Sequence, residues 1–228
     1  MYRLLFLLLF FIVSQALQAM LPPDTTFTHM SILKPAVAVG GLVALSFMLD
    51  ERVQKGASSV NYLANIGSIT DYAGEKTIII PSLLLTYGLG RFVIKDKQLQ
   101  KVAMASIKTV VVSAILTESL KHAFGRARPF TNEGSNSYQP FPGSKDQYKS
   151  LPSGHATFAF AVFTPFAEGY SRWIYVVPVS VAAGRVFQNK HWFSDVAVGG
   201  GIGFITGYLF YHYKKRVEPI PNGLVIYF

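Results

Sequence analysis

The sequence predicts an all-α fold: a bundle of five to six apolar helices, embedded in a membrane or associated with one, with an active site at one end. Three observations carry that expectation. Half of the residues are hydrophobic and 14% are charged, with a mean hydropathy of +0.33, which lies toward the membrane end of the globular range. The apolar residues fall in separate runs of helical length, and no sustained period-two pattern appears before the last few residues. Gly199, Gly203 and Gly207 stand four apart in the last long run, a spacing that lets another helix approach closely.

Residues 1–19 begin with Arg3, pass through the unbroken apolar run Leu4 to Val13 and end at Ala16 and Ala19. This is the three-part pattern of a secretory signal peptide; an uncleaved first membrane helix is the other reading. Ile32 to Leu49 is a buried helix or a weak span, closed by Asp50, Glu51 and Arg52, and residues 53–76 look like loop and short helix. Thr77 to Ile94 is more strongly apolar and is followed by a basic turn with Arg91, Lys95, Lys97 and Lys101. Val102 to Leu120 is a helix uninterrupted by Gly or Pro. Residues 125–154 contain four prolines and four glycines and form a long loop, a length typical of functional segments. Ala156 to Ala167, Trp173 to Val186 and Asp195 to Tyr213 are further apolar segments, and Lys214, Lys215 and Arg216 stop the last. The domain plan is therefore a signal peptide or first membrane helix over 1–19, a helical domain over 20–218 and a tail over 219–228 that resembles a short strand.

The net charge is +9. Its cations sit in short groups at the ends of apolar runs, which suits lipid head groups or an anionic substrate and speaks against nucleic acid. The absence of cysteine excludes disulfides, thiolate metal sites and cysteine nucleophiles. If the last three helices each cross once, the 91–101 turn, Arg172 and the 214–216 run share one side. The loops at 121–155 and 185–195 share the other. The positive-inside rule puts the first set in the cytoplasm and the second outside.

Three clusters hold the unusual polar residues. Lys121 and Arg128 are seven apart, so both cations face one point if the helix runs on. Pro152-Ser153-Gly154-His155 precedes an apolar helix, whose start offers free N–H groups to an anion. Arg185 precedes His191 and Asp195, which are four apart and meet on one helical face. Each cluster alone has an ordinary explanation in snorkelling, capping or surface pairing. Together they place cations and two imidazoles at one end of the bundle, a pocket that asks for a phosphate rather than a metal.

The pattern K-x6-RP, then PSGH, then R-x5-H-x3-D closely resembles the signature of the type 2 phosphatidic acid phosphatase family, which includes nonspecific acid phosphatases and shares its site with vanadium haloperoxidases. The match runs from Lys121 to Asp195. It departs from the family at Gly184, where a serine is usual. The resemblance implies that His191 attacks phosphorus, that Asp195 holds its ring, and that His155 protonates the leaving oxygen and then activates water. It implies that Lys121, Arg128, Arg185, Ser153 and the Gly154 N–H bind phosphate oxygens, with no metal and no cofactor. His122 and Arg126 fall at variable positions and are expected to be peripheral; Trp192 is expected to pack.

The function expected is hydrolysis of a phosphate monoester or pyrophosphate of a membrane lipid through a phosphohistidine. Phosphatidic acid, phosphatidylglycerophosphate, undecaprenyl pyrophosphate and lipid A are substrate candidates, so the partners are an anionic phospholipid or isoprenoid phosphate and the membrane. The location expected is a bacterial inner membrane with the site facing the periplasm, or a membrane-associated periplasmic domain. The rivals are a soluble exported acid phosphatase, a vanadate-dependent haloperoxidase, and a non-catalytic membrane scaffold or anion carrier.

Overall fold

The apolar runs fold as helices whose ends are set by caps and tight turns. The computed structural model describes residues 29–59, 72–212, 216–220 and 223–227; the segment 1–19 lies outside the described residues. Helix α1 is His29–Ser58, α2 Lys76–Gly88, α3 Lys97–Phe124, α4 Gly154–Gly169, α5 Val176–Phe187 and α6 Phe193–His212. A π-turn over Leu89–Val93 continues α2. Helix α1 does not close at Asp50 but runs on through it, because the carboxylate is buried and paired inside the fold. Asp96 starts α3 by accepting hydrogen bonds from the N–H groups of Gln98 (2.8 Å) and Leu99 (3.2 Å).

Helix α4 is central and packs against α3, α5 and α6. The glycines four apart face it at backbone distance. A Cβ on Gly199 would lie 2.5 Å from the Ser153 carbonyl oxygen, and one on Gly203 would overlap that of Thr157. Small polar side chains join the same helices. Ser106 Oγ donates to the Val162 carbonyl at 2.8 Å, and Ser113 and Thr206 share a hydrogen bond of 2.8 Å. Large apolar side chains on α1, α2 and α5, among them Leu42, Leu45, Met48, Leu84, Leu85 and Val179, point outward and are exposed. Among the described residues, three helices are long and apolar enough to cross a membrane: Leu33–Ala57, Lys97–Phe124 and Phe193–His212.

The bundle has two poles. At one, Gln98 Nε2 donates to the Gly169 carbonyl (3.1 Å) and the Tyr211 hydroxyl (3.2 Å), which ties the start of α3 to the ends of α4 and α6. At the other, the end of α3 meets the starts of α4 and α6, and the motif residues gather there. Residues 35–212 form one compact unit. The tail forms a separate antiparallel hairpin of β1 (Arg216–Ile220) and β2 (Gly223–Tyr227), with Val217 opposite Ile226; the expected strand is therefore one of a pair.

A side chain at Gly203 must push a backbone carbonyl aside. Gly203→Val is expected to destabilise the bundle by about 1–3 kcal/mol, read as a lower thermal midpoint in detergent; an unchanged midpoint would contradict the close α4–α6 contact.

Candidate active site

Helix α3 does not run on to Arg128. It stops at Phe124, and Gly125 caps it with a left-handed φ of 58°, its N–H bonded to the Lys121 carbonyl at 3.0 Å. A Cβ at Gly125 would overlap the Gln139 carbonyl oxygen. The chain then extends alongside residues 137–139, with Arg126 bridged to Tyr138. This turn, not a helical repeat, carries the chain from Lys121 to Arg128. The Lys121 ammonium lies 3.5 Å from the position of a Cβ on Gly154, at the start of α4.

Arg128 reaches the third cluster. Its Nη1 donates to the Lys190 carbonyl at 3.1 Å and lies 3.3 Å from His191 Nε2. Its Nη2 sits 3.1 Å from the Asp146 carboxylate, which is largely exposed. Arg185, near the end of α5, is buried and donates to Gln188 Oε1 at 2.9 Å. Its charge also acts on His191.

His191 lies just before α6, with 2% of its surface exposed. Its Nδ1 is 2.8 Å from the Ser150 carbonyl oxygen and 3.6 Å from Asp195 Oδ2. A carbonyl only accepts and a guanidinium only donates. These partners assign the proton to Nδ1 and leave a lone pair on Nε2, facing Arg128. Burial first, and the Arg128 and Arg185 charges with it, push the imidazole down to about 3, against the opposing pull of Asp195. The ring is therefore neutral, with its lone pair on Nε2.

Asp195, in the first turn of α6, does not bond His191 most closely. Its Oδ2 accepts from the Trp192 N–H at 2.8 Å and from the Ser150 hydroxyl, and its Oδ1 accepts from Arg126 Nη1 at 2.7 Å. Its backbone carbonyl accepts the Ser153 N–H at 2.9 Å, which joins the second and third clusters. Ser153 stands at the N-cap of α4 but makes no capping bond. Its Oγ is buried and, among the described residues, has no hydrogen-bond partner. An unsatisfied hydroxyl there is costly unless a ligand accepts from it. His155, in the first turn of α4, has its Nε2 3.5 Å from Glu75 Oε2 and is partly exposed.

Arg126, expected to be peripheral, is fully buried. Its Nε and Nη2 donate to the Ser135 carbonyl at 2.8 and 2.7 Å, and its Nη1 donates to Ser194 Oγ at 2.6 Å and to Asp195. Its Nη2 also donates to Asp50 Oδ2 at 2.7 Å. The rings of Phe47, Tyr138 and Trp192 stand 5.3–5.7 Å from the guanidinium. Trp192 packs, as expected, and its Nε1 donates to the Ala127 carbonyl at 2.9 Å. Sequence reasoning misses the roles of Arg126, Asp50, Ser150 and Ser194. The one signal available to it is an Asp at the end of an apolar run.

The family model described as the PAP2 superfamily matches residues 102–219, just over half of the chain. The chain belongs to the PAP2 superfamily. It is 37% identical over 124 residues to a protein of Rhizobium etli named lipid A 1-phosphatase, covering 50% of this chain and 53% of that one. It is 27% identical to a probable diacylglycerol pyrophosphate phosphatase 1 of Schizosaccharomyces pombe, over 62% of this chain and 63% of the other. The chain spans about half the length of the first of these relatives. The crystal structure of Aquifex aeolicus LpxE shares the fold of this PAP2 chain, with a TM-score of 0.58 at 22% identity, covering 72% of this chain and 96% of that one. Helix α1, with Asp50, precedes the residues that the PAP2 model matches.

Because His191 binds its proton far less readily folded than unfolded, the unfolded chain holds more protons between pH of about 3 and its ordinary value of about 6.5. Stability from this group is therefore complete above about pH 6.5 and declines as pH falls toward 3. The His191 ring Cε1–H resonance is expected to show no titration between about pH 5 and 8. A midpoint near neutrality in that NMR experiment would overturn the neutral-imidazole assignment.

Proposed function

We propose that this PAP2 chain is a metal-independent phosphatase that hydrolyses the phosphate monoester or pyrophosphate of a membrane lipid. The observation that carries the reading is the His191 imidazole, its proton held by the Ser150 carbonyl and its Nε2 lone pair set beside Arg128. Nε2 attacks phosphorus, the phosphorus–oxygen bond of the leaving group breaks, and His155 protonates the departing oxygen. His155 then takes a proton from water, which attacks the phosphohistidine and releases phosphate. Lys121, Arg128 and Arg185 carry the charge that grows on the phosphoryl oxygens. The Ser153 hydroxyl and the Gly154 N–H, at the positive end of α4, complete the cradle. Asp195 steadies the loop that bears His191.

A lipid substrate is favoured over a soluble ester by the three apolar helices and the exposed Leu, Met and Val side chains around them. The names of the relatives point to lipid A and diacylglycerol pyrophosphate as the first substrates to try. Arg91, Lys95, Lys97 and Lys101 lie at the pole opposite the site, so the positive-inside rule favours a site facing the periplasm of a bacterial inner membrane. The proposed domain plan is a signal peptide or first membrane helix over residues 1–19, the helical domain over 20–218 and the tail over 219–228.

His191→Ala is expected to abolish nearly all turnover on a panel of lipid phosphates while the protein stays folded; retained turnover would end the phosphohistidine reading. Ser153→Ala separates binding from stability. It removes a hydroxyl that has no partner among the described residues, so the thermal midpoint should hold or rise. Meanwhile kcat/KM should fall by roughly tenfold, the worth of one lost hydrogen bond to phosphate. A lower midpoint with unchanged kcat/KM would remove Ser153 from the cradle.

A further inference from the structure

We infer that Asp50, on α1 and outside the residues the family model matches, is a positioning residue that sets the charge beneath the nucleophile. The inference rests on the proposed phosphohistidine chemistry and adds a residue to it.

Asp50 is buried, and both its oxygens are engaged. Oδ1 accepts the Ser194 N–H at 2.7 Å; Oδ2 accepts from Ser194 Oγ at 2.6 Å and Arg126 Nη2 at 2.7 Å. Only donors face it, and an arginine is among them, an arrangement that favours the anionic carboxylate. Arg126 is thus shared between two carboxylates, Asp50 and Asp195, each at 2.7 Å. Two anions and one cation leave one net negative charge in a buried cluster. That charge lies against the proton-bearing side of His191, whose Nδ1 is 3.6 Å from Asp195 Oδ2. Glu51, the next acid along α1, is solvent-exposed and accepts the Ser135 N–H at 2.8 Å, so it does not replace Asp50.

The charge matters when the reaction begins. Once Nε2 bonds phosphorus with a proton still on Nδ1, the ring is cationic. The charges of Arg128 and Arg185 oppose that cation. Without Asp50 the Arg126–Asp195 pair is neutral, and the cluster no longer offsets the ring charge. Asp50 therefore serves phosphoenzyme formation and not phosphate capture, because Arg128 stands at the Nε2 edge of the imidazole and the Asp50 cluster at the Nδ1 edge.

The test compares wild type, Asp50→Asn, Arg126→Gln, the Asp50→Asn/Arg126→Gln pair and His191→Ala in full-length protein in detergent, with a short-chain phosphatidic acid as the probe. Asp50→Asn is expected to lower kcat and the burst of phosphoenzyme by about tenfold or more, as loss of an imidazole's supporting partner does, with KM within about twofold. The pair restores the single negative charge through Asp195 alone and should recover kcat above Asp50→Asn. A role limited to folding predicts the reverse, since the pair removes more hydrogen bonds than either single change. Wild-type kcat in Asp50→Asn, or a pair no faster than Asp50→Asn, overturns the inference. If Asp50→Asn fails to fold, the pair is compared with Arg126→Gln, which carries one negative charge more. A pair slower than Arg126→Gln in the burst, with KM within about twofold, then supports the inference, and a pair no slower overturns it. Turnover by His191→Ala in the same assay would instead bring down the phosphohistidine reading itself, so the two failures are distinguishable.

Discussion

A guanidinium sealed away from water must have every donor met and its charge matched, or the fold does not hold it. Arg126 meets both demands with five hydrogen bonds, to the Ser135 carbonyl twice, to Ser194, to Asp195 and to Asp50. Those partners come from α1, from the loop after α3 and from the start of α6. The pairing that satisfies one buried cation thus pins three segments, distant along the chain, to one point. Asp50 adds a second constraint, because it accepts the Ser194 N–H that the first turn of α6 would otherwise leave unmet. The location of Asp195 is fixed by these bonds, and the loop carrying His191 follows from it through the Trp192 N–H.

The same demand for satisfied polar groups explains the state of His191. Its Nδ1–H has a backbone carbonyl at 2.8 Å, so the ring cannot turn over without leaving that acceptor bare. The orientation of the imidazole is thereby a property of the 150–153 segment as much as of Asp195. That segment is itself held by the Ser153 N–H on the Asp195 carbonyl. It sits close enough because Gly199 presents no side chain to the Ser153 carbonyl. Packing between α4 and α6 and the protonation state of His191 are therefore linked by one short chain of contacts.

The sequence makes some of this legible and hides the rest for physical reasons. Lys121, Arg128, Arg185, His191 and Asp195 stand out because cations and imidazoles are rare beside apolar runs, and their motif spacing resembles a family pattern. Helical periodicity gives the wrong reason for the approach of Lys121 to Arg128: Gly125 ends the helix, and a turn makes the connection. Arg126 looks peripheral because burial of an arginine is decided by partners far along the chain, and its partner Asp50 lies 76 residues away. The Ser150 carbonyl is a backbone atom and has no signature in any side chain. Asp50 is visible as a charge, but it looks like the end of an apolar run because a helix continuing past a buried acid requires a cation that the run itself does not contain.

The distribution of side chains shows why the cation network carries so much. In this bundle Leu, Val and Met face outward on α1, α2 and α5, while Ala, Gly, Ser and Thr fill the contacts of α3, α4 and α6. Such helices gain little from hiding apolar area, because a lipid surround serves their outer faces as well as a core would. Close backbone approach and interhelical hydrogen bonds must hold them instead. For α3, α4 and α6 the glycines and the Ser106, Ser113 and Thr206 hydroxyls do that. Helix α1 has its strongest attachments elsewhere: Asp50 on Arg126 and Ser194, Glu51 on the Ser135 N–H, and Gln54 on Asn189. All three lie near its C-terminal end, beside the proposed reaction centre. The helix is therefore joined to the bundle at the proposed site, and what holds α1 in place is what holds the Asp50 carboxylate on Arg126 and Ser194.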